Sequence, residues 1–220
     1  MSPTGLRMNI DEFLTRANVA IANARKTPRI LAALEVYGYD DAVMQQGQEL
    51  LDTARALTDA QQKEYGEQYS ATAAVNEAMA KADRIYSDHR ELAAMVFRDD
   101  AGKQAEIGLN QTKKRSFSGR LTQMERFYAN LLAKPDMLKA MDRFRVTEEK
   151  LLEAQALVEQ VKILGEIQQR ETGEAQTATK ERDAALDALD RWLSEFKTVA
   201  KIALADDAQM LEALQFGAIP

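Results

Sequence analysis

The sequence predicts an all-α protein assembled from two tandem copies of one helical unit, and three observations carry that reading. The 220 residues hold only 4 prolines and 10 glycines against abundant Ala, Leu, Glu, Gln, Lys and Arg, and Val and Ile are too sparse for a sheet. Apolar or small residues recur at helical spacing, as at Val43, Gly47, Leu50, Leu51, Ala54 and Leu57. The chain also aligns with itself, without a gap, at an offset of 107 residues.

In that register Ala82–Asp100 lies over Leu189–Asp207, with the Asp-Arg, Ser and Asp-Asp positions coinciding. Leu14-Thr15 falls on Leu121-Thr122, Ala22-Asn23 on Ala129-Asn130, Pro28 on Pro135, and Leu31 and Ala33 on Leu138 and Ala140. About two dozen identities accumulate, roughly three times what chance pairing gives in so Ala- and Glu-rich a chain. The chain divides on this basis into a helical repeat at 9–108, a linker at 109–115 and a second repeat at 116–217.

Each element can be placed twice. Asn9 with Glu12, and Ser116 or Ser118 in the second copy, offer side-chain oxygens to the unpaired N–H groups of a starting helix. Pro28 and Pro135 interrupt that helix and suit a first-turn position, with Thr27 a cap before Pro28. The short second helix ends near Tyr37, with Gly38 beyond it, or near Phe144, where Arg145 replaces the glycine. Asp40 and Thr147 then open a long stretch whose acidic first turn suits the positive end of the helix dipole. The Asp-Asp pairs cap a short final helix that stops near Gly108 or Gly217. Gly66 and Gly173 mark the middle of the long stretches, and a turn there makes each a helical hairpin; the alternative is one continuous helix of about 85 Å. The architecture expected is therefore a short kinked helix pair, a long helical hairpin and a short terminal helix, used twice in an elongated bundle with pseudo-twofold internal symmetry.

Composition excludes several functions. Without cysteine there is no disulfide framework, thiolate zinc site or cysteine nucleophile, which fits a reducing, cytoplasmic compartment. The stretch Met1–Met8 lacks the basic and apolar regions of a secretory signal, and no apolar run is long enough to span a bilayer. A net charge of −6 with interspersed signs offers no surface for a phosphate backbone, so neither nucleic acid nor membrane is an expected partner. The basic run Lys113-Lys114-Arg115 reads as solvated linker charge.

His89 is the only histidine, so a triad and a multi-histidine metal site are both out of reach; its counterpart is Phe196, which marks the position as packing. One polar constellation is kept in both copies. Gln61, Gln62, Glu64, Gly66, Glu67, Ala71 and Thr72 recur as Gln168, Gln169, Glu171, Gly173, Glu174, Ala178 and Thr179. Glu64 and Glu67 are three residues apart and so share a helical face, as do Glu171 and Glu174. Converging at a repeat interface, the four carboxylates would suit Mg²⁺, Mn²⁺ or Ca²⁺, with Gln61, Gln62, Gln168 and Gln169 as further ligand-binding groups; the competing reading is solvation and capping of a turn. Tyr65 and Tyr69, whose counterparts are Thr172 and Gln176, read as a docking patch confined to one copy. The chain carries no catalytic residue set and implies no cofactor. The function class expected is a non-enzymatic helical scaffold or interaction module that binds a protein partner or itself, the alternative being a small-ligand or divalent-metal-binding bundle with a carboxylate-rich site.

Overall fold

The computed structural model describes residues 9–216 and, among them, is helical throughout with no strand. Eight helices follow in order: α1 (Ile10–Lys26), α2 (Pro28–Glu35), α3 (Asp41–Val96), α4 (Ala101–Glu106), α5 (Phe117–Leu132), α6 (Pro135–Asp142), α7 (Glu148–Ala203) and α8 (Ala208–Ala213). The expectations about Met1–Met8 and Gly217 lie outside the described residues.

The helix starts are set by the caps that the sequence offers. Asn9 Oδ1 accepts from the Asp11 amide at 3.1 Å, and Ser116 Oγ, rather than Ser118, accepts from the Gly119 amide at 3.2 Å. Asp40 and Thr147 accept from the amides of Val43 and Lys150. Asp100 and Asp207 do the same for Lys103 and Met210, so the second aspartate of each Asp-Asp pair begins α4 or α8. Thr27 stands at the cap position of α2 but makes no side-chain capping bond; the fixed φ of Pro28, whose missing N–H would have no partner in the first turn, suffices there. Among the described residues, four adopt the left-handed conformation that closes a helix: Gly38, Arg145, Gly108 and Gln215. Behind Gly38, the Tyr39 amide reaches back to the Leu34 carbonyl at 3.1 Å, and behind Gly108 the Leu109 amide reaches Gln104 at 2.8 Å.

The long stretches correct the expected hairpins. Each of α3 and α7 is one uninterrupted helix of 56 residues, and neither Gly66 nor Gly173 has the positive φ that a reversing turn would use. A lone glycine costs a helix only about 1 kcal/mol, and no proline or capping residue adds to it. The apolar stripes find their partners on the other long helix, so folding back is unnecessary.

The described residues divide into two compact units, those up to 65 with those from 174 onward, and 66–173. The first unit packs α1, α2 and α8 with the early part of α3 and the late part of α7. Its core joins Ile21, Ala24, Ile30 and Leu34 to Met44, Leu51 and Ala54 and to Leu186, Leu189, Phe196 and Ala200. Asn23 Nδ2 donates to the Ala213 carbonyl at 2.7 Å, tying α1 to the end of α8. In the second unit, α4, α5 and α6 pack with the late part of α3 and the early part of α7. Its core joins Met79, Ala82, Tyr86 and Ala93 to Phe127, Tyr128 and Leu131 and to Leu151, Ala154, Val158 and Val161. Asn130 donates to the Glu106 carbonyl, and the Arg120 guanidinium pairs with Asp83, fastening α5 to α4 and α3.

Candidate functional site

The repeated Gln/Glu constellation lies along the middles of α3 and α7, and its members have different fates. Gln61 is 9% exposed, and its side-chain oxygen accepts from Arg182 Nη1 at 3.0 Å, inside the first unit. Arg182, itself only 13% exposed, also holds Asp183 at 2.6 Å. A guanidinium so enclosed needs its protons matched, so Gln61 completes a buried polar network. Sequence reasoning missed Arg182, because 121 residues separate it from Gln61 and its counterpart in the other register is Val75. Gln168 instead donates to the Thr172 hydroxyl one turn along its own helix at 3.2 Å. Gln62 and Gln169 are exposed.

Among the carboxylates, Glu64 and Glu174, both of the first unit, bring oxygens within 4.8 Å of each other. Glu64 Oε2 is enclosed without a hydrogen-bond partner. Glu171 precedes Glu174 by three residues on α7, hence on the same face, and accepts from its neighbour Arg170 at 3.0 Å. Glu67 is exposed and stands outside this carboxylate group. Oxygen ligands alone suit a hard divalent cation such as Mg²⁺, Ca²⁺ or Mn²⁺ rather than Zn²⁺ or Cu²⁺, which prefer nitrogen or sulfur.

The second unit contains a cleft of about 570 Å³ between α3, α5 and α7. Phe117 forms one wall against Gly165, where a Cβ would come within 2.9 Å of its ring. Thr72, Asn76, Lys162, Glu166, Gln168 and Gln169 supply the polar groups, so part of the repeated motif faces this cleft.

His89 sits in the core of the second unit at 9% exposure, its Nδ1 paired with the Tyr128 hydroxyl at 3.3 Å and its ring edge-on to that of Tyr128. Burial pulls its pKa below the ordinary imidazole value; Asp88 opposes this and Lys150 adds to it. Burial likewise holds the Tyr128 phenol well above its usual range. The pair is packed and hydrogen-bonded as a core polar contact. Among the described residues no helix is long and apolar enough to cross a membrane. In comparisons with known proteins, no family model, curated protein or solved structure matches this chain.

Proposed function

We propose that the chain is a non-enzymatic helical scaffold, built by tandem duplication of one unit, that binds a protein partner or a second copy of itself. The duplication is supported by helix starts 107 residues apart in every pair: Ile10 and Phe117, Pro28 and Pro135, Asp41 and Glu148, Ala101 and Ala208. Asn23 and Asn130 share a register and make the same bond, as do the carbonyls of Ala213 and Glu106 that receive it.

The observation that carries the interaction reading is the exposure of Tyr65 and Tyr69 on α3, 44% and 71%, at positions where α7 has Thr172 and Gln176. A tyrosine at such exposure, present on one copy only, suits docking, because its ring buries much area at little entropic cost. Sedimentation velocity and photo-crosslinking from position 69 in extract of the native host test it. A discrete crosslinked species or a native mass above one chain is expected, and Tyr65→Thr with Tyr69→Gln should abolish either. A monomer with no crosslinked product would sink the reading.

A second reading, a divalent-cation site, is favoured by the approach of Glu64 and Glu174 and by the unmatched Glu64 Oε2. Calorimetric titration with Mn²⁺ decides it: saturable heat lost in Glu64→Gln supports a site, and no heat in the native chain ends the idea.

A further inference from the structure

The cleft between α3, α5 and α7 of the second unit lies where the first unit keeps its enclosed arginine. In the 107-residue register Val75 takes the place of Arg182, Asn76 that of Asp183 and Gln168 that of Gln61, and all three line this one cleft. Val75 of α3 and Gln168 of α7 thus meet across it, as Arg182 of α7 and Gln61 of α3 meet in the first unit. The walls are alike as well: Thr72, Leu121 and Gln169 are the same residues in the first unit, at Thr179, Leu14 and Gln62. The bulk gained at Phe117, where the first unit has Ile10, is used elsewhere. Its ring lies on Gly165, where an added Cβ would meet it at 2.9 Å, and so takes the room of the Thr58 side chain.

What the first unit supplies from within, the second lacks. The Arg182 guanidinium is answered on two sides: Gln61 Oε1 accepts from Nη1 at 3.0 Å, and Asp183 Oδ1 accepts from Nε at 2.9 Å and from Nη2 at 2.6 Å. Val75 is buried and ends at its methyl groups, so it brings no donor to Gln168. Gln168 Nε2 donates to the Thr172 hydroxyl at 3.2 Å, which leaves the side-chain oxygen as the group it offers. Asn76 adds a second amide oxygen and Glu166 a carboxylate. Lys162 does not cancel that carboxylate, since its ammonium lies 3.7 Å from Glu159 on the same helix. The wall made by Phe117, 38% exposed, offers a ring face of the kind on which planar cations stack. The volume lies within the range of small-molecule sites and exceeds what one guanidinium fills, leaving room for the stem that carries it.

We infer that this cleft binds a guanidinium group from outside the chain, donating to the oxygens of Gln168 and Asn76 with Glu166 supplying the opposite charge. A planar cation with five donors matches amide oxygens on two walls better than the compact ammonium of lysine does. With an amide at Asn76 where the first unit has a carboxylate, the site holds its cation less strongly than the first unit holds Arg182. This assignment rests on the repeat register proposed above but not on the docking role of Tyr65 and Tyr69 or on the carboxylates of Glu64 and Glu174.

The test titrates the full chain with Nα-acetylarginine amide, followed by NMR, against the amides of Nα-acetylcitrulline, which keeps the shape without the charge, and Nα-acetyllysine. Saturable shifts at Val75 and at the Gln168 side-chain amide are expected with the arginine compound. They should come about tenfold tighter than with the lysine compound and be absent with citrulline. Asn76→Asp, at an exposed position, restores the carboxylate of the first unit and should tighten binding about tenfold. Free arginine binding less tightly than the capped amide assigns the guanidinium to a protein chain, and the reverse order assigns it to a free amino acid. Val75→Arg with Asn76→Asp rebuilds the filled arrangement; it should stay folded, lose binding and slow solvent exchange of the introduced Nε–H. If that variant behaves so but the native chain shows no saturable shift, the ligand inference fails and the register survives. A freely exchanging Nε–H or an unfolded variant overturns the register. Binding that Asn76→Asp leaves unchanged, or that citrulline shares, overturns the assigned chemistry.

Discussion

At the scale of residues, the chain uses polar side chains inside the fold mainly to satisfy one another. Gln61 answers Arg182, and His89 answers Tyr128. The depressed pKa of His89 has a defined consequence for stability. Above about pH 6.5 the imidazole is neutral in both folded and unfolded chains; as pH falls below that value the unfolded chain takes up a proton that the folded core resists. Stability present above pH 6.5 is therefore lost on acidification toward the folded pKa, by at most about 1.4 kcal/mol per pH unit for one proton. His89→Phe, which installs the residue of the other register, should unfold with a shallower loss between pH 7 and 5.5; parallel curves for the two proteins in thermal melts would refute this. The histidine was legible as a packing residue because its counterpart is Phe196, but its hydrogen-bond partner was not, since Tyr128 faces Ile21 in the register and only folding brings the two rings together.

At the scale of elements, the capping residues were readable because each acts within three residues of itself, a distance over which sequence order is spatial order. Asn9, Asp40, Asp100, Ser116, Thr147 and Asp207 all accept the expected amides. The midpoints of the long helices were misread as turns because glycine is permissive without being directive: it allows a left-handed turn but does not impose one. Whether the helix continues depends on what its stripe packs against, and that is a tertiary matter. Nothing lies within 4 Å of a Cβ added at Gly66 or Gly173, and both glycines are helical. Gly66→Ala and Gly173→Ala should each raise stability by about 0.5–1 kcal/mol in urea denaturation, because alanine loses less backbone entropy and meets no neighbour. Loss of stability in either would mean that the backbone reverses there after all.

At the scale of the whole molecule, two cores that share no residue hold the chain, and each draws on the beginning and the end of the long helices. Ile30 in the first and Ile107 in the second are both 1% exposed, and Ile→Val at either should cost about 0.5–1.5 kcal/mol. Measured by denaturation, the double variant should lose the sum of the two to within about 0.5 kcal/mol, as sites with no shared neighbours do; a larger discrepancy would show that the cores are energetically one. The sequence by itself determined the helical class and the residues that cap the helix starts, because propensity and capping act over a few positions along the chain. Only the tertiary structure decided that α3 and α7 run unbroken, that Gln61 serves a buried arginine and that Glu64 meets Glu174. Each of these depends on which distant surfaces bury each other, and burial energy is set by neighbours in space that one linear sequence does not order.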